Sequence, residues 1–193
     1  MPNSNRQKFN ITSDRDPLTG AYDAACRFTR EHYQKRLGCE LQDFFPTILS
    51  RVVNGEVVGV CGLRNAADGA LHLEQYLDMP VEALVAGGCR ENIVELGEFA
   101  ASCQLEAFLL MQFMAETLKN MGFRHVVCTA NRPIRGCLRR LGIRFQQLAE
   151  ADPSRLRDPT DSWGSYYKTS PLVLTGEVEA GVEAIRGLVK TAA

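Results

Sequence analysis

The 193-residue sequence contains no uninterrupted apolar run near the ~20 residues that a membrane-crossing helix needs. Its opening, MPNSNRQKFNITSDR, is polar and mixed in charge, unlike the cationic start and apolar core of a secretion signal. The expectation is a cytoplasmic protein without integral membrane association. The seven cysteines (Cys26, Cys39, Cys61, Cys89, Cys103, Cys128, Cys137) are never closer than nine residues apart, so no CxxC pair exists for zinc or redox work, and reduced thiols are expected. Three histidines (His32, His72, His125) share no ligand spacing, which argues against a metal site. The Gly-x-Ser-x-Gly elbow, the Gly-x-x-x-x-Gly-Lys loop and the Gly-x-Gly-x-x-Gly fingerprint are all missing. Serine-nucleophile hydrolysis, nucleotide hydrolysis and simple dinucleotide redox are thereby disfavoured.

What is present is the composition of a folded domain: 45% hydrophobic, 23% charged and a formal charge of −1. One domain over residues 1–193 is expected, with a polar segment at 1–18 and a helical tail at 179–193. The interleaving of Tyr22, Cys26, Phe28, Tyr33 and Leu37 with charged residues predicts an amphipathic helix from Ala21 to Leu37, stopped by Gly38. Thr47 to Val53 and Val57 to Leu63 are β-branched runs joined by Asn54-Gly55, a strong hairpin signal, and KFNIT upstream suits a short edge strand. His72 to Leu77 reads as a further strand, and Val81 to Val85 as one or two helical turns. Ile93 to Ala101 (IVELGEFAA) reads as a mostly buried strand whose alternation sets Glu95 and Gly97 on one face and Val94 and Glu98 on the other.

The stripe Leu110, Met111, Met114, Leu118, Met121 predicts a helix over 105–121, closed by Gly122. His125 to Ala130 predicts a buried strand, Pro133 to Leu141 a short helix, and Ile143 to Phe145 and Pro171 to Leu174 further strands. Between the last two lies a polar loop, Ala151 to Asp161, and the aromatics Trp163, Tyr166 and Tyr167 either line a pocket or fasten the C-terminal segment to the core. The sum is an α/β fold with a mixed sheet flanked by helices.

Two features point to chemistry. From Thr117 to Ala149 there are seven cations and no acid, which leaves a formal −8 on the rest of the chain, and five of them (Arg132, Arg135, Arg139, Arg140, Arg144) cluster on or beside one helix. This is a solvated basic face or an anion dock in which guanidinium groups grip phosphate or carboxylate oxygens. No nucleic-acid motif accompanies it and the chain as a whole is acidic, so nucleic acid is not an expected partner. The second feature is the pair Glu95 and Glu98. Burial of a glutamate raises its pKa and suits it to general-base work near neutrality, unless it sits at the strand's end and meets water or an arginine. Glu74, in LHLEQYLD, shares this ambiguity.

The strings LEQYLDMPVEALV, IVELGEFAA, LRRLGI, LAEADPSRL and WGSYYKTSPLVLTGEV, in this order between about Tyr22 and Val178, resemble the thermostable hemolysin family. That family is similar to the GNAT-fold N-acetyltransferases, and among them to the acyl-homoserine-lactone synthases, whose helix with Arg and aromatics, hairpin ending Gly-x-Arg and strand Trp-Glu-x-x-Arg-Phe-Ala correspond here to Arg30–Leu37, Gly62-Leu63-Arg64 and Val94–Ala100. The chain departs from those patterns at Val94 and Glu98, at the turn after Ala101, which lacks the glycines of a coenzyme A loop, and at Leu138, where a tyrosine acid is usual.

The resemblance implies a GNAT-like, mostly antiparallel central sheet and transfer of an acyl group to an amine or amino acid. The donor is an acyl-phosphopantetheine thioester on acyl carrier protein, or on coenzyme A, used as co-substrate with no tightly bound cofactor. Glu95 or Glu98 is then the base. Phe99, Ala100, Ala101, Arg132, Arg135, Arg139 and Arg140 bind the donor, and Arg30, Arg64 and Glu74 bind the acceptor. Two other readings stand beside it: a non-catalytic module of the same fold that binds an acyl carrier or small ligand, and a membrane-lytic protein whose Leu105–Met121 helix inserts. Against insertion, Glu106, Gln112, Glu116 and Lys119 interrupt that helix.

Overall fold

The structure, a computed structural model, describes residues 7–16, 20–156 and 162–191. Residues 1–6 and 17–18 of the expected polar segment and residues 157–161 of the polar loop lie outside these. Seven strands form one sheet: β1 (Gln7–Ser13), β2 (Thr47–Val53), β3 (Glu56–Asn65), β4 (Ile93–Ala101), β5 (His125–Ala130), β6 (Gln146–Glu150) and β7 (Leu172–Glu177), in the order β1-β2-β3-β4-β5-β7-β6. All neighbours are antiparallel except β4 and β5. Five helices flank it: α1 (Ala21–Leu37), α2 (Val81–Leu84), α3 (Gln104–Asn120), α4 (Arg132–Arg140) and α5 (Val178–Thr191).

Local chemistry accounts for most boundaries. Asn54 and Gly55 both take positive φ, as a tight hairpin turn with the right twist requires. The α1 helix ends where Gly38 enters the left-handed region, and α4 begins where the Asn131 side chain accepts the Ile134 N–H at 3.0 Å. Two expectations need correction. His72–Tyr76 is a 3-10 turn rather than a strand, because its amides are drawn onto carboxylates instead of a neighbouring strand. The expected strand at Ile143–Phe145 begins later, at Gln146, and forms the edge of the sheet beside β7. The C-terminal helix is part of the core, since Val178, Val182 and Ile185 are buried and α5 packs on α3.

Two irregularities open the middle of the sheet. The parallel ladder between β4 and β5 runs only from Ile93↔His125 to Leu96↔Cys128, so the backbone from Gly97 onward has no partner on β5 and the strands splay. On its other side β4 bulges: Val60 pairs with Ala100 and Gly62 with Gly97, leaving Cys61 opposite both Glu98 and Phe99. Glu98 occupies the left-handed region at φ 53°, uncommon for a residue other than glycine.

Candidate active site

The bulge decides where the carboxylates go. Strict alternation sets Glu98 on the face opposite Glu95 and Gly97, but the left-handed backbone turns its side chain back to theirs. There its Oε1 accepts the Phe45 N–H at 3.1 Å and its Oε2 lies 2.9 Å from where a Cβ on Gly62 would stand. Two cavities meet at this point. The larger, about 720 Å³ and mainly apolar, occupies the splay between β4 and β5 and runs under α3, α4 and α5. The smaller, about 200 Å³, is walled by Phe44, Phe45, Tyr76 and Trp163 and contains Arg64 and Glu95. Glu98 lines both, as do Tyr33, Thr129 and Tyr166.

Glu95 is 2% exposed, and its carboxylate accepts the backbone N–H groups of His72 at 2.9 Å and Leu73 at 2.8 Å. Burial pushes its pKa up to about 7, against the lowering effect of those two hydrogen bonds and of Arg64. Since 4.5 is its ordinary value, the unfolded chain binds fewer protons than the fold between about pH 4.5 and 7. Stability should therefore fall as pH rises through that window and level off above it, by on the order of 3 kcal/mol. Urea midpoints across this range should show the slope in the native protein and lose it in Glu95→Gln.

Arg64 stacks on the Phe45 ring with its guanidinium carbon 5.0 Å from the centroid, and its Nε is buried with no partner among the described residues. A cation held over an aromatic ring and facing the smaller cavity is suited to a carboxylate. Thr129 likewise buries a hydroxyl without a partner among the described residues, at the boundary of the two cavities.

Other expected residues lie elsewhere. Glu74 lines neither cavity: it caps Leu71 and Val81 amides and pairs with Arg90 at 2.9 Å, which holds its carboxyl below the usual range despite burial. The acceptor role expected of it is not supported, because both its oxygens are engaged in holding the 71–90 segment together. Arg30 is exposed on α1, donates to the Leu41 carbonyl and stacks on Phe44 at 4.9 Å, so it touches the smaller cavity only through these two lining residues. Phe99, Ala100 and Ala101 line the larger cavity. Of the arginines, Arg140 and Arg144 border it. Arg132 and Arg139 are exposed beyond it, and Arg135 is tied to the carbonyls of Ala130 and Ser170. Trp163 and Tyr166 face the smaller cavity, while Tyr167 fastens the segment through a 2.7 Å bond to the Tyr76 hydroxyl. Phe45 and Thr129 also line these cavities without being singled out by the sequence, and Tyr33 and Arg36 do so from within the Arg30–Leu37 segment. Only the aromatic pair Phe44-Phe45 before Pro46 hinted at a buried anchor.

A mixed sheet with a bulged fourth strand splayed from a parallel fifth is the GNAT-type fold of N-acyltransferases. Among solved structures, the acyl-homoserine-lactone synthase LasI superposes with a TM-score of 0.69 at 14% identity, over 95% of this chain and 96% of that one. FeeM, an N-acyl amino acid synthase from uncultured soil microbes, gives 0.64 at 14% identity over 92% and 93%. An acyl-CoA N-acyltransferase from Pseudomonas aeruginosa gives 0.54 at 12% identity over 89% and 99%. Within that fold the chain belongs to the thermostable hemolysin family, whose profile matches residues 17–182. No curated protein sequence matches it. Among the described residues no helix is long and apolar enough to cross a membrane, and no three His, Cys, Asp or Glu side chains gather as a metal site.

Proposed function

We propose that this protein is an N-acyltransferase that moves an acyl group from a thioester to the amine of a small acceptor carrying a carboxylate, such as an amino acid. The observation that carries the reading is the meeting of a large apolar cavity and a smaller, more polar one at a single carboxylate, Glu98. The apolar cavity suits the acyl chain and pantetheine arm, and the aromatic pocket suits the acceptor, with Arg64 on its carboxylate and Glu98 at its amine. In the reaction the amine nitrogen attacks the thioester carbonyl carbon. The C–N bond forms, the C–S bond breaks, Glu98 takes the proton from nitrogen, and sulfur leaves as thiolate and is protonated from solvent. Backbone amides of Phe99 and Ala101, which alternate with the β3-facing amides of Ala100 and Ser102 and lie beyond the end of the β4–β5 ladder, polarise the carbonyl. Glu95 anchors the 72–73 backbone that forms one wall of the pocket.

The donor proposed is acyl carrier protein in the cytoplasm. The turn from Ala101 into α3 has no glycine and presents the exposed side chains of Ser102, Cys103 and Gln104, a poor cradle for pyrophosphate. The rim carries Arg36, Arg140 and Arg144, with Arg132 and Arg139 beside it, which is suited to an acidic carrier. Carrier affinity should drop roughly tenfold or more from low to physiological ionic strength, and Arg140→Glu with Arg144→Glu should weaken binding and flatten that dependence. Titrations of carrier at several salt concentrations check this.

The decisive experiment incubates the pure protein with acyl carrier protein thioesters or acyl-coenzyme A and pooled amino acids and amines, with products read by mass spectrometry. A new amide establishes the reaction, and the donor that yields it identifies the thioester. Carrier binding without any product would favour a non-catalytic binding module.

A further inference from the structure

The larger cavity reaches α5 at a position where that helix carries no side chain. The buried face of α5 is Val178, Val182 and Ile185, and Gly181 lies on the same stripe, three residues after Val178 and four before Ile185. A core-facing helical position ordinarily presents a side chain in contact with its neighbours. A Cβ built at Gly181 meets nothing within 4 Å, and Gly181 is one of the residues that line the cavity. Its φ is not positive, so no turn or cap calls for glycine there. Glycine inside a helix is unfavourable relative to alanine, and what its presence leaves at this point is open space on the inner face. Gly187, farther along the helix, is exposed and has no place in the cavity.

The cavity follows β5 from Ala130, at the splay, to Val126, and both residues line it. Four strand steps at ~3.3 Å give ~13 Å. An extended alkyl chain of about ten carbons has that length, with C–C bonds near 1.5 Å in a zigzag.

We propose that Gly181 sets the length of acyl chain this protein accepts, by leaving open the end of the cavity against which the terminal methyl comes to rest. The inference rests on the reading of the larger cavity as the acyl site. It is tested on the full chain with straight-chain acyl-N-acetylcysteamine thioesters, shorter and longer than about ten carbons, as the probe for binding by calorimetry. Native affinity should rise about fourfold per methylene up to a limiting length. Gly181→Leu and Gly181→Phe should shorten that limit by about three or four carbons and weaken the longest chains roughly a hundredfold, leaving the shortest unchanged. Gly181→Ala should shift the limit little and raise the melting temperature, and Gly187→Leu should leave the limit where it is. If the phenylalanine variant does not fold, Gly181→Val carries the same comparison. Native protein that binds without chain-length dependence would remove the acyl reading of the cavity. Native dependence with an unmoved limit in the Gly181 variants would overturn the inference alone.

Discussion

Glu98→Gln is expected to lower kcat by about 10²- to 10⁴-fold, the range for losing a general base, while thioester and acceptor binding stay near native. The substitution keeps size and shape, and the amide oxygen still accepts the Phe45 N–H that now meets Oε1 at 3.1 Å. What it removes is the capacity to take a proton where the two cavities join. Glu95→Gln is expected to act differently. Glu95 lines only the smaller cavity and its two oxygens each hold a backbone amide, of His72 and Leu73. An amide there satisfies one of those donors and faces the other with its NH₂, so the wall of the acceptor pocket should loosen, raising the acceptor KM more than it lowers kcat. Steady-state kinetics of the two variants, with either substrate varied, separates these roles. A native kcat in Glu98→Gln would remove the base assignment.

The parts of the fold that are legible in the sequence are those whose cause is local. The α1 helix lies where its apolar period and Gly38 put it, the β2–β3 hairpin turns at Asn54-Gly55, and β4 and β5 occupy the expected residues. The stretch 72–77 was not legible, because its alternation HLEQYL is outweighed by distant partners. Glu95 on β4 draws in the His72 and Leu73 amides, and Arg90 grips Glu74. The face of Glu98 was hidden for a related reason. A left-handed residue is announced in sequence by glycine or asparagine, and here a glutamate takes that conformation under constraint from its neighbours. Glu74 and Glu98 thus looked alike as sequence, yet one is a structural ion-pair partner and the other stands between two cavities. Arginine spacing showed a basic face but not its division, with Arg135 spent on carbonyls and Arg140 and Arg144 left at the rim.

Gly97→Ala is expected to destabilise the protein by about 1–3 kcal/mol, the cost of overpacking a closed core, and to weaken acceptor use as well. A Cβ on Gly97 would stand 2.5 Å from two carbons of the Phe45 ring, and one on Gly62 would stand 2.7 Å from the Phe45 Cβ. The two glycines are register partners on β4 and β3, so together they clear one spot on the sheet into which Phe45 is pressed. From there Phe45 holds three things: its amide donates to Glu98, its carbonyl accepts the Tyr22 hydroxyl at 2.8 Å, and its ring supports Arg64. Displacing the ring therefore moves the base and the acceptor-binding cation together, whereas Gly59→Ala, whose Cβ would meet Leu110 at an ordinary 3.4 Å, should be nearly neutral. Adding Phe45→Leu to Gly97→Ala gives a further separation, because the smaller side chain relieves the clash but offers Arg64 no aromatic face. Denaturant midpoints should then recover while the acceptor KM stays high. Native kinetics in Gly97→Ala would mean that Phe45 does not position the site, and would leave the bulge at Glu98 as the determinant of where the carboxylate stands.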